Sequence, residues 1–190
     1  MFYWFAWIIL RVFLTIFCRY KIIGLENVPH KGGVILVANH RAMMDPIVIG
    51  CSIPFRRAYF MAKEELFRFK LFAIIIGALG AFPVKRGKLD RNALRIAERL
   101  LKEGKLLLIF GEGTRNRDFS KPLGELYHGF VYLGSRVDVP IVPVYTFNTH
   151  QIFYKLFRWP KVVVKFGEPI YEKEDLFERI KGRLLELSRG

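Results

Sequence analysis

Two hydrophobic rhythms run along the chain. Residues 2 to 18, FYWFAWIILRVFLTIFC, are apolar on every side and broken only by Arg11, which predicts one continuous apolar helix. From residue 33 onward, short apolar runs alternate with longer stretches of helical period. GVILVAN, RAYFMA, GAFPV, KLLLIF, PIVPVYT and KVVVKFG read as strands, whereas PIVIGCSI, KEELFRFKLFAIIIGAL, LDRNALRIAERLLKEG and KEDLFERIKGRLLELS read as helices, with a further helical stretch over 124–136. This alternation predicts an α/β layer fold, with a largely parallel sheet flanked by helices. The expected division is a helical segment over 1–20 and an α/β domain over 21–190.

In such sheets, ligands collect where loops leave the carboxyl ends of the strands. Three polar clusters fall at those positions: NHRAMMD after GVILVA, KRGK after AFPV, and GEGTRNRD after KLLLIF. The alternation implies that they converge in space.

NHRAMMD holds His40 and, five residues on, Asp45. Side chains at that spacing on one helix face apart, but a strand-to-helix corner brings them together. Asp45 followed by Pro46 reads as an N-cap with proline at the first helical position, which leaves His40 in the preceding turn. Two readings then stand side by side. Either the carboxylate orients the imidazole and frees its other nitrogen to act as a base, or it only caps its helix. There is no GxSxG elbow, and Ala42 lies between the pair. A covalent acyl-serine route is therefore disfavoured, and direct attack by a substrate hydroxyl activated by His40 fits better.

Charge narrows the partners. The 190 residues carry 31 Lys and Arg against 17 Asp and Glu, a net charge of +14, yet 52% of them are hydrophobic. A basic surface attracts nucleic acid, anionic lipid or an acidic protein. The aromatics sit in apolar runs instead of being interleaved with Lys and Arg, which favours lipid over nucleic acid. The first apolar run lacks the basic leader and cleavage site of a signal peptide, so the segment is expected to be retained. Its length is at the lower limit for spanning a bilayer, with Arg11 near its middle. Tyr3, Trp4, Trp7 and Tyr20 are types that prefer the membrane interface. The expectation is a membrane-associating helix lying in or dipping into one leaflet, on the cytoplasmic face of the membrane; the competing reading is a buried helix of the domain. The run LFAIIIGALGAF at 71–82 adds apolar surface but is too short to span.

Cys18 and Cys51 have no metal-like spacing and read as small buried hydrophobes, and His30, His128 and His150 as surface or packing residues. No metal or cofactor is expected. Lys85 and Arg86 at one strand end and Arg115 and Arg117 at another suit a phosphate pocket, while Lys88 and Arg91 read as a solvated helix face.

Here the chain resembles a known family. NHRAMMD resembles the HxxxxD motif of the glycerolipid acyltransferases, and GAFPVKRG, FGEGTRNRD and VPIVPVY resemble that family's three further blocks, in order, between about residues 33 and 145. Within the family the likeness is strongest to the branch acting on 1-acylglycerol 3-phosphate. The resemblance implies transfer of a fatty acyl group from a thioester, carried by acyl carrier protein or coenzyme A, to the sn-2 hydroxyl of lysophosphatidic acid, giving phosphatidic acid. His40 would be the general base and Asp45 its partner. Arg86 would help hold the acceptor phosphate, Glu112, Gly113, Thr114 and Arg115 would shape the acceptor site, and Pro143 would lie in a structural strand on the acyl side. Two departures stand out: Gly111 replaces the proline of FPEGTR, which is expected to loosen that loop, and Ala42 replaces a frequent serine. The alternatives are a sister acyltransferase taking glycerol 3-phosphate or another lysolipid, and a non-catalytic basic membrane-binding module in which His40 and Asp45 are idle.

Overall fold

The computed structural model describes residues 1–85, 90–155 and 158–189. Its centre is the strand β2, Val34–Ala38, in which all five residues are buried. A strand covered on both faces needs an unbroken apolar run, and GVILVA supplies one. On either side lie β5 (Leu106–Phe110) and β6 (Ile141–Phe147); β3 (Ala58–Lys63), β4 (Ala81–Val84), β7 (Val163–Phe166) and β1 (Lys21–Ile23) complete a seven-stranded sheet in the order β1-β7-β6-β2-β5-β3-β4.

Neighbouring strands are parallel except β6 and β7, which pair antiparallel with Val144 opposite Phe166 and Phe147 opposite Val163. Among the described residues, the link from β6 to β7 has the single-turn α6, Gln151–Tyr154, and no long helix that could carry the chain back for a parallel return. β1 and α6, of three and four residues, are too short to leave a periodic signal.

Alternate residues of β2 feed two cores. Leu36 and Ala38 pack with Leu14 of α1 (Phe2–Phe17) and with Val48 and Ile49 of α2 (Asp45–Ser52). Ile35 and Val37 pack on the other face with residues of α4 (Arg91–Lys102), α5 (Gly129–Arg136) and α7 (Leu176–Ser188).

Two expected helices are shorter than their patterns. α3 begins at Lys70, because Lys63 is still paired with Val84 in the sheet and Glu64–Phe67 form a 3-10 turn. α5 begins at Gly129 because the amides of Gly124 and Tyr127 are committed to Glu112 and Gly111.

α1 follows neither expectation in full. One face packs against α2, where Trp7 Nε1 donates to Gly50 O and Arg11 Nη1 to Cys51 O, both at 3.0 Å, and the Tyr20 hydroxyl donates to Val48 O at 2.6 Å. Arg11 thus puts a cation on the carbonyl end of α2, where the helix dipole favours it. The opposite face exposes Phe2, Phe5, Ile9, Val12 and Ile16, a stripe at helical spacing. Among the described residues, no helix is long and apolar enough to cross a membrane.

Candidate active site

The chain leaves β2 at Ala38, turns through residues 39–44 and enters α2 at Asp45. Asp45 is the first helical residue; Met44 occupies the N-cap without a side-chain bond. The Asp45 carboxylate folds back over the turn: Oδ2 accepts Arg41 N–H at 2.6 Å, Ala42 N–H at 2.7 Å and the His40 ring at 2.8 Å, while Oδ1 accepts the Thr146 hydroxyl at 3.3 Å. All four donors lie outside α2. The carboxylate therefore organises the turn before its helix and does not cap the helix itself.

A carboxylate can only accept, so the bond to His40 places the imidazole proton on Nδ1 and leaves the lone pair on Nε2 free. The ring stacks on Phe110 with centroids 4.0 Å apart. His40 N–H donates to Glu112 Oε2 at 2.6 Å, and His40 O accepts Asn116 N–H at 2.8 Å. Both main-chain groups of the histidine are thereby tied to the loop that follows β5.

The same loop carries most of the other predicted residues. Glu112 is 3% exposed, and its second oxygen accepts Gly124 N–H at 2.6 Å and Asn116 Nδ2 at 3.4 Å. Its charge is spent inside the protein, joining the two turns. Gly113 has φ +62 and lies against the Tyr127 ring, so its left-handed turn suits glycine. Thr114 N–H donates to Glu112 O at 2.6 Å, and Thr114 and Arg115 are exposed just before Asn116. Arg86 and Lys88 lie outside the described residues. Gly111 corrects the expectation of a loose loop. Its N–H donates to Ala38 O at 2.9 Å, its carbonyl accepts Tyr127 N–H at 2.8 Å, and an added Cβ would sit 2.9 Å from Leu126 Cδ2. Glycine here permits close packing and supplies a donor that proline lacks.

Residues 19–146 match the family model described as Acyltransferase. The chain belongs to the acyltransferase family. It is 28% identical over 181 residues to the 1-acyl-sn-glycerol-3-phosphate acyltransferase of Bacillus subtilis, covering 95% of this chain and 88% of that one. It is 29% identical over 179 residues to the enzyme of the same name from Borreliella burgdorferi, covering 86% and 69%. The crystal structure of the 1-acyl-sn-glycerophosphate acyltransferase PlsC from Thermotoga maritima superposes with a TM-score of 0.72 at 27% identity, covering 94% of this chain and 74% of that one.

Beside the histidine, this acyltransferase has a cavity of about 580 Å³, lined by Met61, Val84, Ile109, Phe110, Tyr127 and Phe130 among others. Phe110 is both its wall and the plate under His40. At its polar edge, Asp90 accepts Lys85 N–H at 2.8 Å and caps α4 through Asn92 and Ala93. Those amides hold the Asp90 carboxyl below its ordinary range. Among the described residues, no group of three or more His, Cys, Asp or Glu could hold a metal ion.

Three residues of the acyltransferase site gave no signal in the sequence. The Arg41 guanidinium donates to Asp118 O and Pro122 O, each at 2.7 Å, and to Lys121 O, and lies over the Phe119 ring. Asn39 Oδ1 accepts Thr146 N–H at 2.7 Å and Asn39 Nδ2 donates to Thr146 O at 3.1 Å, so Asn39 holds β6 against the turn and presents the Thr146 hydroxyl to Asp45. Of the three, Asn39 alone sits in a local pattern, a polar residue ending an apolar strand one position before a histidine, and that pattern does not reveal its partner Thr146. The other histidines pack on aromatic rings: His30 on Phe55, His128 on Phe177 and His150 on Phe119. Burial lowers the His150 pKa, and the nearby Arg41 adds to that shift.

Proposed function

We propose that this acyltransferase transfers a fatty acyl group from a thioester to the sn-2 hydroxyl of lysophosphatidic acid, forming phosphatidic acid. The observation that carries the reading is His40, held by Asp45 at 2.8 Å with Nε2 free, in a chain similar over most of its length to enzymes named for that reaction. His40 Nε2 takes the hydroxyl proton as the oxygen attacks the thioester carbonyl. The resulting imidazolium is balanced by the Asp45 carboxylate. Collapse of the tetrahedral intermediate expels the thiolate, which takes up the proton from His40. Arg115, with Arg86 of the neighbouring block, is the proposed partner of the acceptor phosphate, since guanidinium groups bind phosphate through a fork of donors. Glu112, Gly113 and Thr114 set the shape of that side of the site. The donor is acyl carrier protein or acyl-CoA; both are anionic, and a +14 chain suits either.

Segment 1–20 is the membrane-associating part, and 21–190 the acyltransferase domain. The exposed stripe of α1 supports contact with one leaflet, because its other face is occupied by α2. Anionic lipid and the cytoplasmic face of the membrane are the proposed setting. The test is acyl transfer in detergent micelles to lysophosphatidic acid, glycerol 3-phosphate and a lysolipid without a phosphomonoester. Phosphatidic acid as the dominant product supports the reading; a preference for glycerol 3-phosphate would replace it with the sister activity, and no transfer to any acceptor would favour a non-catalytic membrane module.

A further inference from the structure

A second region of the molecule combines cations with exposed aromatics. The junction between α1 and β1 runs alongside residues 158–162: Arg19 N–H donates to Pro160 O at 3.0 Å, Lys21 N–H to Val162 O at 2.9 Å, and Trp159 Nε1 to Ile16 O at 2.7 Å. Between them is an open groove of about 660 Å³, lined by Arg19, Lys21, Lys161, Thr15, Ile16 and Trp159. All three cations are exposed, and among the described residues none has a carboxylate partner. Ile16 belongs to the outward stripe of α1, so the groove begins where that stripe ends. Trp159 is 56% exposed, Phe153 64% and Tyr154 86%, in keeping with side chains that favour the headgroup layer.

The topology sets this groove at a particular end of the molecule. β7 runs against β6, with Val163 opposite Phe147 and Lys21 opposite Val163. Lys21 and Lys161 therefore lie at the end of the sheet where β2 delivers His40; in the order β1-β7-β6-β2, β1 with Lys21 is three strands from β2 and β7, which Lys161 leads into, is two, roughly 10–15 Å at ordinary strand spacing.

We propose that this groove binds the phosphate headgroup of an anionic phospholipid, fixing the end of α1 to the bilayer beside the catalytic opening. The inference rests on the reading that α1 contacts a membrane. Three unpaired cations facing one concave surface match a headgroup of opposite charge, and the adjoining apolar stripe matches the acyl layer beneath it.

The test is co-sedimentation with phosphatidylcholine vesicles, with and without phosphatidylglycerol. It compares the native protein, a triple variant Arg19→Gln, Lys21→Gln, Lys161→Gln, and a control Arg95→Gln, Arg99→Gln, Lys102→Gln that removes the same charge from the exposed face of α4. The native protein should prefer anionic vesicles, the groove variant should lose that preference by on the order of a hundredfold, and the control should keep it. The groove variant should still bind neutral vesicles weakly through α1 and retain turnover in micelles. Equal losses in the two variants, or none in either, would overturn the site. Native protein that binds neutral and anionic vesicles equally would overturn the groove but leave the membrane reading intact; native protein that binds neither would overturn both.

Discussion

The carboxylate of Glu112 crosses from the loop after β5 to the turn after β2 and accepts the main-chain N–H of His40 at 2.6 Å, while its other oxygen accepts Gly124 N–H at the same distance. One buried side chain thus fixes the backbone on which the histidine stands. Leaving a buried donor without an acceptor costs about 1–3 kcal/mol, and Glu112→Ala strands more than one. Thermal denaturation should rank native above Glu112→Gln above Glu112→Ala, with the alanine variant melting several degrees lower. A native-like melting temperature for Glu112→Ala would remove Glu112 from this role.

Arg41 should act on acceptor binding. Its guanidinium ties down three carbonyls between Asp118 and Pro122, and that segment follows directly after Arg115 and Arg117. Lysine keeps the charge but not the planar fork. Arg41→Lys should raise KM for lysophosphatidic acid by roughly tenfold and change kcat by less than about threefold, with Arg41→Ala more severe. Steady-state kinetics would detect the opposite pattern, a fall in kcat at constant KM, which would move Arg41 into the chemical step.

The thiols should be inert in the folded protein. Burial pushes the Cys51 thiol up to about 12 against a small opposing effect of Arg11, and burial also raises Cys18. A raised thiol pKa means that the reactive thiolate forms only at higher pH, so both groups stay protonated at pH 8. Alkylation followed by mass spectrometry should find neither cysteine modified under native conditions and both after unfolding.

Arg11→Leu would make the first apolar run more continuous, yet it should loosen α1. The change removes a charged donor from the carbonyl end of α2, a loss of about 1–2 kcal/mol. Amide exchange in micelles should speed up across α1 while the central strands stay protected.

Much of this site was legible as a pattern, but its supports were not. The run GVILVA marked a fully buried central strand, and the Asp45-Pro46 pair marked the start of α2 with His40 in the turn before it. Spacing alone left two roles for Asp45, and only the direction of its bonds, backward to residues 40–42 instead of forward into α2, separates them. Arg41 was silent because its partners lie some eighty residues on, a separation that leaves no local trace. The reversed β7 was silent because strand direction depends on the connection, and the link after β6 has no long helical period. Arg11 looked like a defect in a membrane segment until Cys51 O stood opposite it.

The most direct measurement is the turnover number of His40→Ala against native protein, with lysophosphatidic acid and an acyl thioester in micelles and the melting temperature recorded for both. The account predicts that kcat falls by about a thousandfold or more while the fold is retained, and that Asp45→Asn falls on the same scale. A folded His40→Ala protein with turnover close to native would contradict it and would place the base elsewhere.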